Sequence, residues 1–144
     1  MIKKTRHTGL VVRNLSKSLA FYEALGFSLW KREIEVGDFI DTVVGIKLVE
    51  LETAKMHAKD GSMIELLEYH SHPMEKDKIN SPSNTLGCSH IAFTVDDIEK
   101  TCKLVSQLGG NVVNHPVISP SGKVKVAYCH DVDGILLEFV EELV

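Results

Sequence analysis

The chain has 144 residues, 16 Lys+Arg against 20 Asp+Glu, a formal net charge of -4 and 44% hydrophobic residues. Its length suits one domain of about 100–200 residues, and its acidic balance argues against a nucleic-acid binder, which needs a basic face. No apolar run approaches the roughly 18 residues of a membrane span, the charged stretch Met1 to His7 has no signal-peptide core behind it, and three cysteines without a CxxC pair fit reduced thiols, so a soluble, cytoplasmic protein is expected.

In chain order, apolar patterning predicts strands near residues 6–12, 27–35, 46–58 and 63–69, with a helix between the first two. The same order then recurs, with strands near 89–95, 111–117, 124–130 and 135–141. His7 through Leu25-Gly26 aligns without a gap on His90 through Leu108-Gly109, an offset of 83 residues. Each copy passes from a His on a β-type run to a helix-capping residue, Asn14 or Asp97. Apolar residues follow at helical spacing: Leu15, Leu19, Tyr22 and Leu25 in one copy, Ile98, Cys102, Val105 and Leu108 in the other. Each helix stops at a glycine suited to a left-handed cap, Gly26 or Gly109.

Farther along, Asp60-Gly61 and Glu65 repeat as Asp133-Gly134 and Glu138, at an offset of 73 residues. Asp-Gly predicts a tight hairpin with positive φ at both turn positions. The smaller offset leaves about ten extra residues in the first copy, expected between Glu35 and Thr53 as a longer strand pair or a lid. The join from Ser71 to Gly87, which holds Pro73 and Pro82, reads as a linker. The fold class is therefore α+β, with residues 1–144 forming a single domain of two modules, about 1–70 and 88–144, around one core.

His7, Glu65, His90 and Glu138 occupy equivalent places in the two copies. A pseudo-twofold relation would bring one imidazole and one carboxylate from each half to a common point. Two nitrogens and two oxygens suit a borderline divalent ion, and octahedral coordination would leave two positions for water or substrate.

These residues resemble those of the vicinal oxygen chelate superfamily, which includes glyoxalase I, methylmalonyl-CoA epimerase, extradiol dioxygenases and bleomycin-resistance proteins. The resemblance runs from His7 to Glu142. It is carried by His7, Ser18-Leu19-Ala20-Phe21-Tyr22 through Gly26-Phe27, Ile64-Glu65-Leu66-Leu67, His90-Ile91-Ala92-Phe93, and Asp133-Gly134 through Glu138. It implies two tandem βαβββ modules forming a curved, mostly antiparallel sheet around a metal-binding cleft. It also implies metal ligands at His7, Glu65, His90 and Glu138, and a homodimer.

A divalent ion (nickel, cobalt, zinc or manganese rather than iron) that grips two adjacent substrate oxygens stabilises the enediolate or enolate left when a neighbouring C–H loses its proton. Glu138 and Glu65 are the candidate catalytic bases. The expected function is a metal-dependent lyase or isomerase of the glyoxalase I or methylmalonyl-CoA epimerase type, acting on a small thiol-conjugated or CoA-linked carbonyl compound. Glyoxalase I anchors glutathione through an Arg on the first strand, where Val11 stands here with Arg13 two residues on. The alternatives are an extradiol-type iron dioxygenase, in which Glu65 would fill a position needed by substrate, and a non-enzymatic binding protein of the bleomycin-resistance type, which would not need four ligands.

Rival residues have plainer readings. Glu68 and its counterpart Glu141 fall on the opposite strand face from Glu65 and Glu138, toward solvent or a strand edge. Glu50 and Glu52 read as a solvated strand edge, though resemblance to the epimerase implies one of them as a third candidate base, and His57 reads as a substrate contact. His70 and His72 read as surface imidazoles and Cys88 as an inert buried thiol, while His115 and His130 carry no signal.

Overall fold

Two side-chain caps start the two long helices. In the computed structural model, which describes residues 1–74 and 80–143, Asn14 Oδ1 accepts from the Lys17 amide and Asp97 Oδ1 from the Lys100 amide, each at 2.9 Å. Helix α1 (Leu15–Ala24) and helix α3 (Ile98–Gln107) therefore begin at the positions the repeat predicts. They end alike. The amide of Gly26 bonds Glu23 O and that of Phe27 bonds Tyr22 O, and Gly109 and Gly110 do the same to Ser106 O and Val105 O. This paired pattern needs a left-handed residue at the turn, which Gly26 (φ 107) and Gly109 (φ 89) supply.

The chain separates into two compact units, Met1–Glu75 and Lys76–Val144. In the first, β1 (Thr8–Val11), β2 (Ser28–Glu35), β3 (Leu51–His57) and β4 (Met63–Tyr69) form an open sheet in the order β1-β4-β3-β2. β1 runs parallel to β4 and the other neighbours are antiparallel. Leu15, Leu19, Phe21 and Tyr22 of α1 are buried, in company with Ala54, Met56, Ile64 and Leu66. Each large apolar side chain so buried contributes about 1.5–3 kcal/mol.

Between β2 and β3 lies a second helix, α2 (Asp38–Val44), where a longer strand pair or a lid was expected. Glycines bracket it: Gly37, and Gly45 in the left-handed region at φ 72. Asp41 then fastens the return, its carboxylate accepting from the amides of Leu48 at 2.7 Å and Val49 at 3.0 Å. Ile40 packs with Val49 and Leu51, so the insertion has its own small core. This fastening delays the start of β3 from the expected residue 46 to Leu51.

In the second unit, β5 (Ile91–Thr94), β6 (Asn111–Val112), β7 (Val117–Ile118), β8 (Val124–His130) and β9 (Leu136–Glu142) form an open sheet ordered β5-β9-β8-β6, with β7 also paired to β8. β5 is parallel to β9. The strand expected at 111–117 is broken in two. Asn114 Oδ1 takes the Tyr128 amide at 2.8 Å in place of a backbone carbonyl, and Pro116 has no amide to offer the ladder. Gly110 is irreplaceable by geometry, since a Cβ there would lie 2.5 Å from His130 O and 2.6 Å from Val105 Cγ1.

The Asp-Gly turns differ from expectation in type. Among the described residues, the non-glycine positive φ values are at Leu48 and His72, so Asp60 and Asp133 are not left-handed. The Gly61 amide bonds Ala58 O and the Ala58 amide bonds Ser62 O, with the same pair at Gly134–Asp131 and Asp131–Ile135. Each is a longer loop that closes on one left-handed glycine, the bulged alternative to the two-residue turn. Part of the expected 71–87 linker, residues 75–79, lies outside the described residues. Its end is tied to the second unit, through Ser81 N to Gly134 O at 3.0 Å and the His130 Nε2–H bond to Ser81 O at 2.8 Å.

Candidate metal centre

Parallel pairing positions the first His–Glu pair. Register sets Gly9 opposite Glu65, so both lie on one face, and His7, two residues before Gly9, joins that face. Gly9 has no side chain to intervene, and His7 Nε2 reaches Glu65 Oε2 at 2.9 Å. The second unit repeats the construction. Ala92 lies opposite Glu138, and His90 Nε2 reaches Glu138 Oε2 at 2.9 Å. All four side chains are partly shielded, with exposures of 31% and 12% in the first pair and 28% and 22% in the second. Each unit thus brings together its own predicted imidazole and carboxylate.

The donor sets suit a divalent ion. Two adjacent donors held about 2.0–2.2 Å from a common ion at right angles are roughly 3 Å apart, and each pair already has that bite. The neighbours of the two carboxylates differ. Lys55 is paired across strands with Glu65, and its Nζ lies 3.7 Å from Glu65 Oε1. Tyr128 takes that place beside Glu138, its ring 5.0 Å from the His90 ring. Neither was singled out from the sequence. Both were findable as equivalents at the 73-residue offset, directly across from the candidate carboxylates.

A third cluster of donors gathers at the other face of the first sheet, where Glu52, Glu68 and His70 bring ligand atoms within 4.8 Å of one another. Its atoms are committed elsewhere. Arg32 Nε bonds Glu52 Oε1 at 2.6 Å, His70 Nε2 pairs with Glu52 Oε2 at 2.8 Å, and Glu68 Oε2 accepts from the Leu15 amide at 2.6 Å. The Arg32 bond, then the His70 bond, holds the Glu52 carboxyl below the usual carboxylate range, the wrong direction for a base. The Glu52 bond in turn raises His70 above an ordinary imidazole. Glu68 and Glu141 do not point idly to solvent, as the alternation suggested. Each carboxylate receives the first amide of a helix, Leu15 or Ile98, the latter at 2.8 Å.

Other candidates are placed as follows. His57 stacks edge-on against Trp30 at 5.3 Å and lies 3.4 Å from Gly61 O through Nδ1. His130, buried, spends Nε2–H on Ser81 O and takes Asn111 Nδ2 at Nδ1, a structural role. All three thiols are free, but Cys88 is exposed, against the expectation of burial, because the segment before β5 lies at the surface. Cys102 and Cys129 are the buried ones, and burial pushes the Cys129 thiol up to about 12.

A profile of the "Glyoxalase/Bleomycin resistance protein/Dioxygenase superfamily" matches residues 4–139. The chain belongs to this superfamily. A lactoylglutathione lyase of Neisseria meningitidis is 33% identical over 138 residues, covering 94% of this chain and 88% of that protein. A probable lactoylglutathione lyase of Synechocystis sp. is 31% identical over 137 residues, covering 94% and 92%. Among solved structures, a glyoxalase family protein of Bacillus cereus has a TM-score of 0.92 at 29% identity, covering 100% of this chain and 97% of that one. The α+β architecture with open mixed sheets is that of this superfamily.

Proposed function

We propose that the protein is a divalent-metal-dependent lyase or isomerase that removes a proton next to a carbonyl, with His7, Glu65, His90 and Glu138 as the metal ligands. The observation that carries this reading is the duplication of one geometry: imidazole Nε2 to carboxylate Oε2 at 2.9 Å, once in each unit. A surface ion pair needs no such twin.

When bound, the ion would supply Lewis acidity toward the substrate oxygens next to the C–H that is broken. His7 and His90 would hold it and take no part in proton transfer. Glu138 is assigned the proton-accepting role. Glu65 divides its oxygens between His7 and Lys55 Nζ, whereas the neighbour opposite Glu138, Tyr128, brings no cation. Glu65 is the second candidate. Relatives at 33% and 31% identity that bear the name lactoylglutathione lyase favour a hemithioacetal substrate, a thiol-conjugated 2-oxoaldehyde. Val11, exposed on β1, offers no charge to a substrate carboxylate. Zinc, nickel, cobalt and manganese are the ions that suit the N2O2 set, and a homodimer that pairs modules across two chains is compatible with it.

Elemental analysis of purified protein beside Glu138→Gln and His90→Ala tests the reading. The parent is expected to retain stoichiometric metal and to isomerise a hemithioacetal or epimerise methylmalonyl-CoA, while both variants lose metal and, with it, activity. Equal metal in parent and variants would remove the site assignment. Iron with oxygen uptake on catechols would redirect it to ring cleavage.

A further inference from the structure

The residue before His90 contacts the ring nitrogen of that histidine that is not paired with Glu138. Ser89 Oγ donates its single proton to Ser83 O at 2.7 Å, and the same oxygen lies 3.0 Å from His90 Nδ1. A hydroxyl has one proton to give. With that proton spent on the carbonyl, Oγ can only accept from the imidazole, so Nδ1 must carry a hydrogen. The other nitrogen, Nε2, is the one aimed at Glu138 Oε2. The acceptor at the head of this relay is itself anchored: Ser81, two residues before Ser83, is fixed by its amide to Gly134 O and by its carbonyl to His130 Nε2. The last part of the inter-module segment therefore reaches the candidate site through a chain of three groups, Ser83 C=O, Ser89 O–H and His90 Nδ1–H.

We propose that Ser89 is a positioning residue that holds His90 as the Nδ1–H form and so reserves Nε2 for a divalent ion. This rests on the reading of His90 as a metal ligand. It is a property of the second unit alone, because the counterpart of Ser89 at the 83-residue offset is Arg6, which has no acceptor. Fixing a ligating imidazole through its other nitrogen typically changes metal affinity about 10–100-fold.

The experiment is a zinc titration against a chromophoric chelator for the parent, Ser89→Ala, Ser89→Thr, His90→Ala and the double variant Ser89→Ala/His90→Ala, with thermal melts to establish that each is folded. Ser89→Ala is expected to weaken zinc binding about tenfold, Ser89→Thr to restore it by returning the hydroxyl, and the Ser89 effect to vanish in the His90→Ala background. A serine that merely supports the fold would cost the same in both backgrounds, and that result overturns the proposal. So does parental affinity in Ser89→Ala when His90→Ala has lost zinc. If His90→Ala itself binds zinc like the parent, the ligand assignment fails and the proposal falls with it. Should Ser89→Ala not fold, the zinc-loaded parent decides by NMR: a His90 Nδ1–H resonance coupled through space to Ser89 is expected, and its absence refutes the relay.

Discussion

Glu68 and Glu141 stand three residues beyond Glu65 and Glu138, and the difference between three and two decides what each carboxylate does. Alternation sends residues three apart to opposite faces of a strand, so one glutamate meets an imidazole and the other meets the start of a helix. The Leu15 and Ile98 amides that they receive at 2.6 and 2.8 Å are among the donors a helix cannot satisfy internally, and a negative charge there opposes the helix dipole. Replacing Glu141 by Gln keeps the shape and removes the charge. The expected cost is about 1 kcal/mol, measured as a lower urea midpoint at unchanged slope, with zinc affinity equal to that of the parent. Glu138→Gln is expected to do the reverse, losing zinc while leaving the stability of the metal-free protein unchanged. A Glu141→Gln melt indistinguishable from the parent would show the bond to be incidental. The opposite-face assignment was legible from alternation alone, but the helix was not, because the bonded amides lie 53 and 43 residues away in sequence.

Strands β2, β3 and β4 are cross-linked on the helix-bearing face by Arg32, Glu52, Glu68 and His70, and this network makes the first unit's stability depend on pH. His70 has its folded value raised above 6.5, chiefly by the Glu52 bond, which outweighs the opposing effect of burial, and further by the charges of Glu68, Glu52 and Glu50. A raised value means that its contribution is complete below 6.5 and is lost as pH climbs through the folded value. Glu52 has its folded value lowered below 4.5, chiefly by Arg32, so its contribution is complete above 4.5 and is lost as pH falls through the folded value. The network is therefore strongest between those limits. The stability gap between parent and His70→Gln is expected to be largest near pH 5.5 and to shrink by pH 9, read from urea unfolding at each pH; a gap constant with pH would mean that the imidazole charge does no stabilising. Elements of this kind were unevenly legible. The two long helices announced themselves through caps, stripes and terminal glycines. Helix α2 did not, because Asp38-Phe39-Ile40-Asp41-Thr42-Val43-Val44 is short and rich in β-branched residues, and a carboxylate within it, Asp41, decides its position by clamping the later amides of Leu48 and Val49. The division of the 111–117 strand likewise turns on a side chain, Asn114, taking over a backbone role.

For the whole molecule, the duplication is the informative signal, because it selected two histidines from seven and two carboxylates from 20 without reference to three-dimensional contacts. The proposal that both pairs serve one ion makes a prediction that binding linkage checks. An ion that binds the folded chain alone stabilises it by about 2.7 kcal/mol at a hundredfold excess over its dissociation constant. For a domain near this size that corresponds to a rise in melting temperature of about 8 °C. If the pairs share one ion, zinc should bind at one per pair of modules, and either His7→Ala or His90→Ala should abolish most of the thermal shift, though the substitutions lie in different units. Two independent sites would instead give two zinc ions per chain, and each single variant would keep the shift contributed by the untouched pair. Chelation by EDTA is expected to return the parent to the melting temperature of the metal-free variants, and a parent whose melt ignores both zinc and chelator would mean that neither pair holds a metal in the folded protein.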